Sequence, residues 1–391
     1  MNIGFVSTWL ERGATYVTKA YIDLLKENHN IFVYARGGEE FAKNDPKWNL
    51  PEVTWGLRLY GTSINFNHIK KWIKKNNIEI IFFNEQHEVE IVFKVKEHFP
   101  NIKIGSYIDY YKEDTVKEFL IYDFLICNTK RHYSVFRHHP QCYYVPWGTD
   151  TELFKPRNNK NKTITFFHSS GMSVRKGTKL LVDSFIDGKL YNDSKLIIHS
   201  QLDFNKTFGY NPKELKKYNI DIIEKTVTAP GIYYLGDVYV YPTYLDGLGL
   251  TIYEALSCGL PVITTNNAPM NEVINEKVGY LVDVSYYRAR SDAYYWPLSI
   301  CEKNSLIEGM LYFVKNKSSL DTFKKNARMA AVEKWNWTDR QRIINDIFVN
   351  TKILNQSIRY NNMTHLNVIE RLTRKLGSSY VYHLVKSIRN K

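Results

Sequence analysis

Short apolar runs alternate along most of the chain with segments whose apolar residues recur every three or four positions. The runs IGFVST (3–8), IFVYA (31–35), IEIIFFN (78–84), IKIGSYI (102–108), DFLICN (123–128) and YYVPWG (143–148) are nearly continuous and rich in β-branched and aromatic residues. That pattern fits strands buried on both faces. Between them, TYVTKAYIDLLKEN (15–28), INFNHIKKWIKKNN (64–77) and VEIVFKVKEHF (89–99) carry apolar residues at helical spacing. In the second of these, Ile69, Trp72 and Ile73 share one side and four lysines the other. Strands alternating with helices predict a parallel sheet covered by helices, here a domain over residues 1–150.

The segment TELFKPRNNKNK (151–162) interrupts the pattern with Pro, Arg and a run of Asn and Lys, and reads as a linker or hinge. A second alternating set then begins. TITFFHSS (163–170), KLIIHS (195–200), DVYVYP (237–242), PVITT (261–265) and GYLVDV (279–284) are strand-like, and TKLLVDSFI (178–186) is helical. This set runs to about residue 337. The stretch SYYRARSDAYYWPLS (285–299) has five aromatic residues and no clear period. The expected fold is α/β, two doubly wound Rossmann-like domains facing across a cleft at the carboxyl ends of their strands, where ligands of such sheets bind.

Several function classes are disfavoured. The first strand leads into STWLERGATYV, with Gly13 alone, so the GxGxxG dinucleotide fingerprint is missing, and no GxxxxGK[ST] phosphate loop occurs. The four cysteines form no CxxC pair and read as buried apolar residues of a reducing compartment. No apolar run is long enough to span a bilayer and no leader pattern opens the chain, so a cytoplasmic protein is expected. NEQHEVE (84–90) reads as a charge cluster at a loop–helix junction, and no metal site is expected. The net charge of +13 is concentrated: residues 351–391 hold eight Lys or Arg against one acid. Such a tail is either a solvated face or a surface for phosphate on a membrane; nucleic acid is not expected.

The chemistry concentrates in YPTYLDGLGLTIYEALSCGLPVITT (241–265). Leu250 to Ser257 has helical spacing, and Gly247 and Gly249 allow backbone to approach a ligand closely. The amides of Leu248, Leu250 and Thr251 would then form an anion site at a helix N-terminus. Glu254, one turn in, leans back toward that end and Asp246 stands before the turn. Two acids beside an anion site can hold the hydroxyls of a nucleotide sugar. The spacing alone equally allows Asp246 to be a loop cap and Glu254 a helix-dipole partner.

The segment DVYVYPTYLDGLGLTIYEALSCGLPVITTNNAPMNEVI resembles the signature region of the family 4 retaining glycosyltransferases. YYVPWGTDTELFKP (143–156) resembles that family's hinge, RKGTKLLVDSF (175–185) its "KG…L..AF" helix and GFVSTWLERGATYV its first strand and loop. The resemblance covers roughly residues 1–350 and implies the two-domain GT-B fold, with a helix over 338–354 returning to the first domain. It further implies a nucleotide-sugar donor, with a UDP-sugar favoured, held mainly by residues 151–337, no metal or other cofactor, and retention of configuration. Glu254 would hold ribose hydroxyls and Asp246 those of the transferred sugar, near the amides of Leu248 to Thr251. Lys176 and Arg175 would neutralise the departing diphosphate. Glu272 would support the nucleotide loop, and Gly13 and Ala14 would let the first loop approach donor phosphate and acceptor.

Three departures stand out. Asp246 replaces the commoner Glu, a reach shorter by about 1.5 Å. Ser170 stands where relatives carry an Arg. Asp109, in YIDYY, falls near a usual histidine position, and either faces sugar or acceptor hydroxyls or is a polar strand-end residue. The expected acceptor is a glycan or lipid-linked molecule, in surface polysaccharide or glycolipid synthesis. Segments 64–77 and 360–391 are the candidate contacts with an anionic membrane surface on its inner face. A hydrolase using Asp246 and Glu254 as acid and base would leave the anion turn and Lys176 without a role. A non-catalytic nucleotide or anionic-surface binder is the remaining alternative.

Overall fold

In the computed structural model, residues 1–38, 41–59, 61–157 and 161–354 are described. The basic segment 360–391 lies outside them. The described chain forms two compact units. The first contains residues up to Asn128, His132–Val145 and the chain from Asp339; the second contains Pro146–Thr338 together with Thr129–Arg131.

The first unit is built on seven parallel strands: β1 (Asn2–Ser7), β2 (Asn30–Ala35), β3 (Val53–Trp55), β4 (Ile80–Phe83), β5 (Lys103–Tyr107), β6 (Phe124–Cys127) and β7 (Cys142–Tyr144). Their order is β3-β2-β1-β4-β5-β6-β7, all parallel. Every side chain of β4 and β6 is buried, as continuous apolar runs require when helices cover both faces. The helices are α1 (Gly13–Leu25), α2 (Phe66–Lys75), α3 (Glu90–His98) and α4 (Lys130–Phe136), whose Lys130 and Arg131 belong to the second unit. The sequence pattern missed β3, which is only three half-buried residues long. It also overextended YYVPWG, where the strand ends at Tyr144.

The apolar side of α2 is consumed by the core: Ile69, Trp72 and Ile73 are at most 3% exposed. What this helix offers to solvent is its lysine side, with Lys71, Lys74 and Lys75 exposed. Beneath the sheet, Lys96 and Asp123 form a fully buried ion pair at 2.5 Å. Asp123 also accepts from the Ile104 and Leu354 amides, at 2.8 Å each. The last described helix packs here too. Its Phe348 ring lies 5.1 Å from that of Phe82 and 5.3 Å from that of Phe124.

The second unit repeats the plan with β8 (Ile164–Gly171), β9 (Ser194–Ser200), β10 (Ile220–Glu224), β11 (Val238–Tyr241), β12 (Val262–Thr265) and β13 (Gly279–Val282). The order is β10-β9-β8-β11-β12-β13, again parallel. Its helices are α5 (Thr178–Asp187), α6 (Phe204–Phe208), α7 (Pro212–Leu215), α8 (Leu250–Ser257), α9 (Lys303–Lys315) and α10 (Leu320–Lys334), and α11 (Gln341–Asn350) is the helix that closes the first unit. The aromatic stretch 285–299 belongs to an antiparallel hairpin of β14 (Val284–Arg288) and β15 (Leu298–Cys301). Tyr286 and Tyr287 are exposed on β14, which has no buried residue to give it a readable period, whereas β15 buries Leu298, Ser299 and Cys301.

Candidate donor site in the second unit

In the second sheet the chain reverses its order between β8 and β11, which are hydrogen-bonded neighbours. Diverging connections leave a crevice at the carboxyl ends of such a pair. The loop leaving β8 carries Arg175 and Lys176, and the loop leaving β11 carries Asp246, so strand order brings together two segments seventy residues apart. Backbone contacts lock the loops together, with the Tyr244 amide donating to the Arg175 carbonyl at 2.8 Å. Gly177 makes this approach possible. Its φ of +72° is left-handed, and a Cβ there would stand 2.0 Å from the Pro242 oxygen.

Each of the two acids is held by a tyrosine. Asp246 is paired with Lys176 and accepts from the Tyr241 hydroxyl, while its other oxygen accepts from the Gly249 amide at 3.0 Å. Burial pushes the Asp246 carboxyl upward, but Lys176, Tyr241 and the Gly249 amide outweigh it and hold the group well below the usual carboxylate range. Lys176 also lies over the Tyr241 ring, 4.8 Å from its centroid. Glu254 accepts from the Tyr233 hydroxyl. Here burial dominates over Tyr233 and Lys176 and raises the carboxyl to about 7. Tyr239 lies between the two partners, 5.6 Å from Tyr233 and 5.7 Å from Tyr241. Sequence reasoning passed over Tyr233 and Tyr241; the alternation in DVYVYP was the available sign that Tyr239 and Tyr241 share a face.

The anion turn has the backbone such a site needs. Gly249, at φ +72°, caps α8, and its amide is committed to Asp246. Helix geometry leaves the amides of Leu250 and Thr251 without an intrahelical acceptor. Asp246 is therefore both a cap and a member of the charged cluster, so its two sequence readings hold together. Leu248 is buried, whereas Gly247 and Leu250 are partly exposed.

The other expected residues are spread more widely. Arg175 is exposed, beside Lys176. Ser170 is buried and donates to the His199 carbonyl on β9 at 3.2 Å, which commits its hydroxyl to the neighbouring strand. Glu272 accepts from the amides of Lys130 (2.6 Å) and Arg131 (2.9 Å). Arg131 was not anticipated. Its guanidinium donates to the Asp246 carbonyl at 2.5 Å and to that of Ala268, and lies 5.3 Å from the Trp296 ring centroid. It thereby braces the backbone of the Asp246 loop. In the first unit, Gly13 and Ala14 open α1 after β1, and Asp109 is half-buried two residues beyond β5. All three are at carboxyl ends of strands in that sheet. Within NEQHEVE, Glu88 accepts from Thr62 and Glu90 pairs with Lys94, so these two acids serve local structure.

Comparison with known proteins gives this arrangement a class. Residues 149–293 match the family model described as glycosyl transferases group 1. The structure resembles that of HepE from Anabaena in complex with UDP and glucose, with a TM-score of 0.64 and 14% identity over 88% of this chain and 98% of that one. The two parallel-sheet Rossmann-like units make this a GT-B fold.

Among curated relatives, the chain is 31% identical over 155 residues to the capsular polysaccharide biosynthesis glycosyltransferase CapM of Staphylococcus aureus, covering 36% of this chain and 41% of that protein. It is 27% identical over 223 residues to the UDP-Gal:alpha-D-GlcNAc-diphosphoundecaprenol alpha-1,3-galactosyltransferase of Escherichia coli, covering 52% and 53%. The chain thus matches about half or less of the length of these relatives.

Proposed function

We propose that the protein is a retaining, family 4 type glycosyltransferase that moves a sugar from a nucleotide-diphosphate sugar to a hydroxyl of a glycan or lipid-linked acceptor. The observation that carries this reading is the Lys176–Asp246–Tyr241 cluster beside the open amides of α8. On donor binding the ion pair would be exchanged. The Lys176 ammonium would turn to the diphosphate, with Arg175 as second cation, and Asp246 would accept from hydroxyls of the transferred sugar. Glu254 would accept from the ribose, its charge favoured by hydroxyl donors it now lacks.

In the transfer, the acceptor oxygen bonds to the anomeric carbon on the face that the diphosphate leaves. The bond from that carbon to the phosphate oxygen breaks with its electron pair, and the acceptor proton passes to a diphosphate oxygen. Lys176 and the helix amides stabilise the developing negative charge, a task they can perform without a metal ion. Asp109, Gly13 and Ala14 are the proposed acceptor-side residues. A UDP-sugar is favoured; HepE in complex with UDP and the galactosyltransferase named for UDP-Gal support that choice. CapM supports a role in surface polysaccharide synthesis.

Among the described residues no helix is long and apolar enough to cross a membrane. We place the protein in the cytoplasm, on an anionic inner membrane face held by the lysine side of α2 and segment 360–391. Because the apolar side of α2 is spent on the core, that contribution is electrostatic and should fade with salt.

The test is a thermal-shift and turnover screen against UDP-, GDP- and ADP-sugars with and without acceptors, in the presence of a chelator. One donor should stabilise the protein and lose that effect in Glu254→Ala. Stabilisation by none, or donor binding that survives both Asp246→Ala and Glu254→Ala, would overturn the reading. Product NMR decides retention, and anionic-vesicle binding with and without residues 360–391 decides the membrane contact.

A further inference from the structure

A basic cavity lies at the other end of the second sheet from the donor cluster. It has a volume of about 430 Å³ and is bordered by Gly236 and Leu260, which precede β11 and β12. It therefore opens at the amino ends of the strands, whereas the Lys176–Asp246 cluster follows their carboxyl ends. Helix α8 runs between the two, beginning at the anion turn and ending at Cys258 in the cavity wall.

The cavity wall is strongly cationic. Arg157, Lys324, Lys325 and Arg328 line it, and no carboxylate does. Their charges are unequally engaged. Lys324 is paired with the nearly buried Asp237 at 2.6 Å. Arg328 donates to the carbonyls of Thr151, Phe154 and Ser257 at 2.9–3.0 Å, which satisfies donors without neutralising its charge. Arg157 lies over the Tyr234 ring, 5.6 Å from its centroid, a cation–π contact that uses none of its N–H donors. Lys325 is exposed and has no acid partner among the described residues. Arg157 and Lys325, which form no ion pair with an acid among the described residues, thus converge with Arg328 on one concave space.

We propose that this cavity binds a phosphate-bearing ligand, with the Arg157 fork and the Lys325 ammonium on the phosphate. A phosphate dianion answers several converging cations at once and matches the planar fork of an arginine. The cavity leaves room for an organic body beside it, against Tyr234 and Met329. That body belongs either to a soluble phosphate ester or to a lipid headgroup. The proposal does not depend on the donor chemistry assigned to the other end of the sheet.

The probes are pyrophosphate in solution, followed by calorimetry, and vesicles of phosphatidylglycerol against phosphatidylcholine, followed by co-sedimentation. Three variants accompany the wild type: Arg157→Gln/Lys325→Gln, Lys176→Ala, and the charge-matched control Lys213→Gln/Lys216→Gln, two exposed lysines of neither site. Loss of charge-assisted hydrogen bonds should weaken binding about tenfold or more in the first. In the Lys176→Ala background, where the donor-site cation is removed, saturable binding that Arg157→Gln/Lys325→Gln weakens and the control retains supports the site, and the probe that binds identifies the source of the phosphate. Binding of neither probe, loss in Lys176→Ala alone, or equal loss in the control overturns it.

Discussion

Replacing Glu254 by glutamine should stabilise the ligand-free protein at neutral pH while weakening its hold on a nucleotide. The carboxyl is partly buried on α8 with Tyr233 as its donor. Burial moves it from 4.5 to about 7, against the smaller opposing effects of Tyr233 and Lys176. The folded protein therefore keeps this proton to about pH 7, whereas the unfolded chain releases it near pH 4.5. Stability from the protonated form is complete below the lower value and is lost as pH rises through the higher one.

A displacement of this size corresponds to about 3 kcal/mol. Glutamine does not titrate, and its carbonyl oxygen can still accept from Tyr233. Urea unfolding of both proteins between about pH 5 and about pH 8 should show the wild type losing roughly 3 kcal/mol relative to Glu254→Gln, other groups cancelling in the difference. The same variant loses charge-assisted hydrogen bonds to hydroxyls, about 1.5–3 kcal/mol each, so UDP should bind at least tenfold more weakly. Stability curves that run parallel across that range, or a glutamine variant less stable at the alkaline end, would refute burial as the dominant influence on this carboxyl.

Three further outcomes follow from the same contacts. Lys176→Ala removes the main charge holding Asp246 ionised, so turnover should fall about 10²–10³-fold and the acid limb of its pH profile should move to higher pH. Gly177→Ala meets both a left-handed φ and the Pro242 oxygen, and should cost about 2 kcal/mol or more; an unchanged melting temperature would show that the two loops yield. Asp123→Asn strands the buried Lys96 charge and should cost about 3–5 kcal/mol by denaturant unfolding, whereas Asp123→Leu with Lys96→Met should recover most of that loss.

The sequence by itself determined the elements whose signal is local. Continuous apolar runs marked β4, β6, β11 and β12 because parallel strands are buried on both faces. The period from Leu250 to Ser257 gave α8 with the bounds it has, since helical spacing and the flanking glycines lie within one short window. The DGLG turn and the glutamate eight positions after its acid were equally visible. Elements without a buried residue, such as β3 and β14, left no period to read.

Only the tertiary structure decided what the acids touch. Strand order set Lys176 against Asp246, and the folding of β11 and of the turn before it placed Tyr241 and Tyr233 on the two carboxylates. Glu254 and Asp246, eight residues apart, are driven in opposite directions because one is dominated by burial and the other by a cation from a distant loop. Pairing across a sheet depends on which strands become neighbours, and no window of sequence contains that choice.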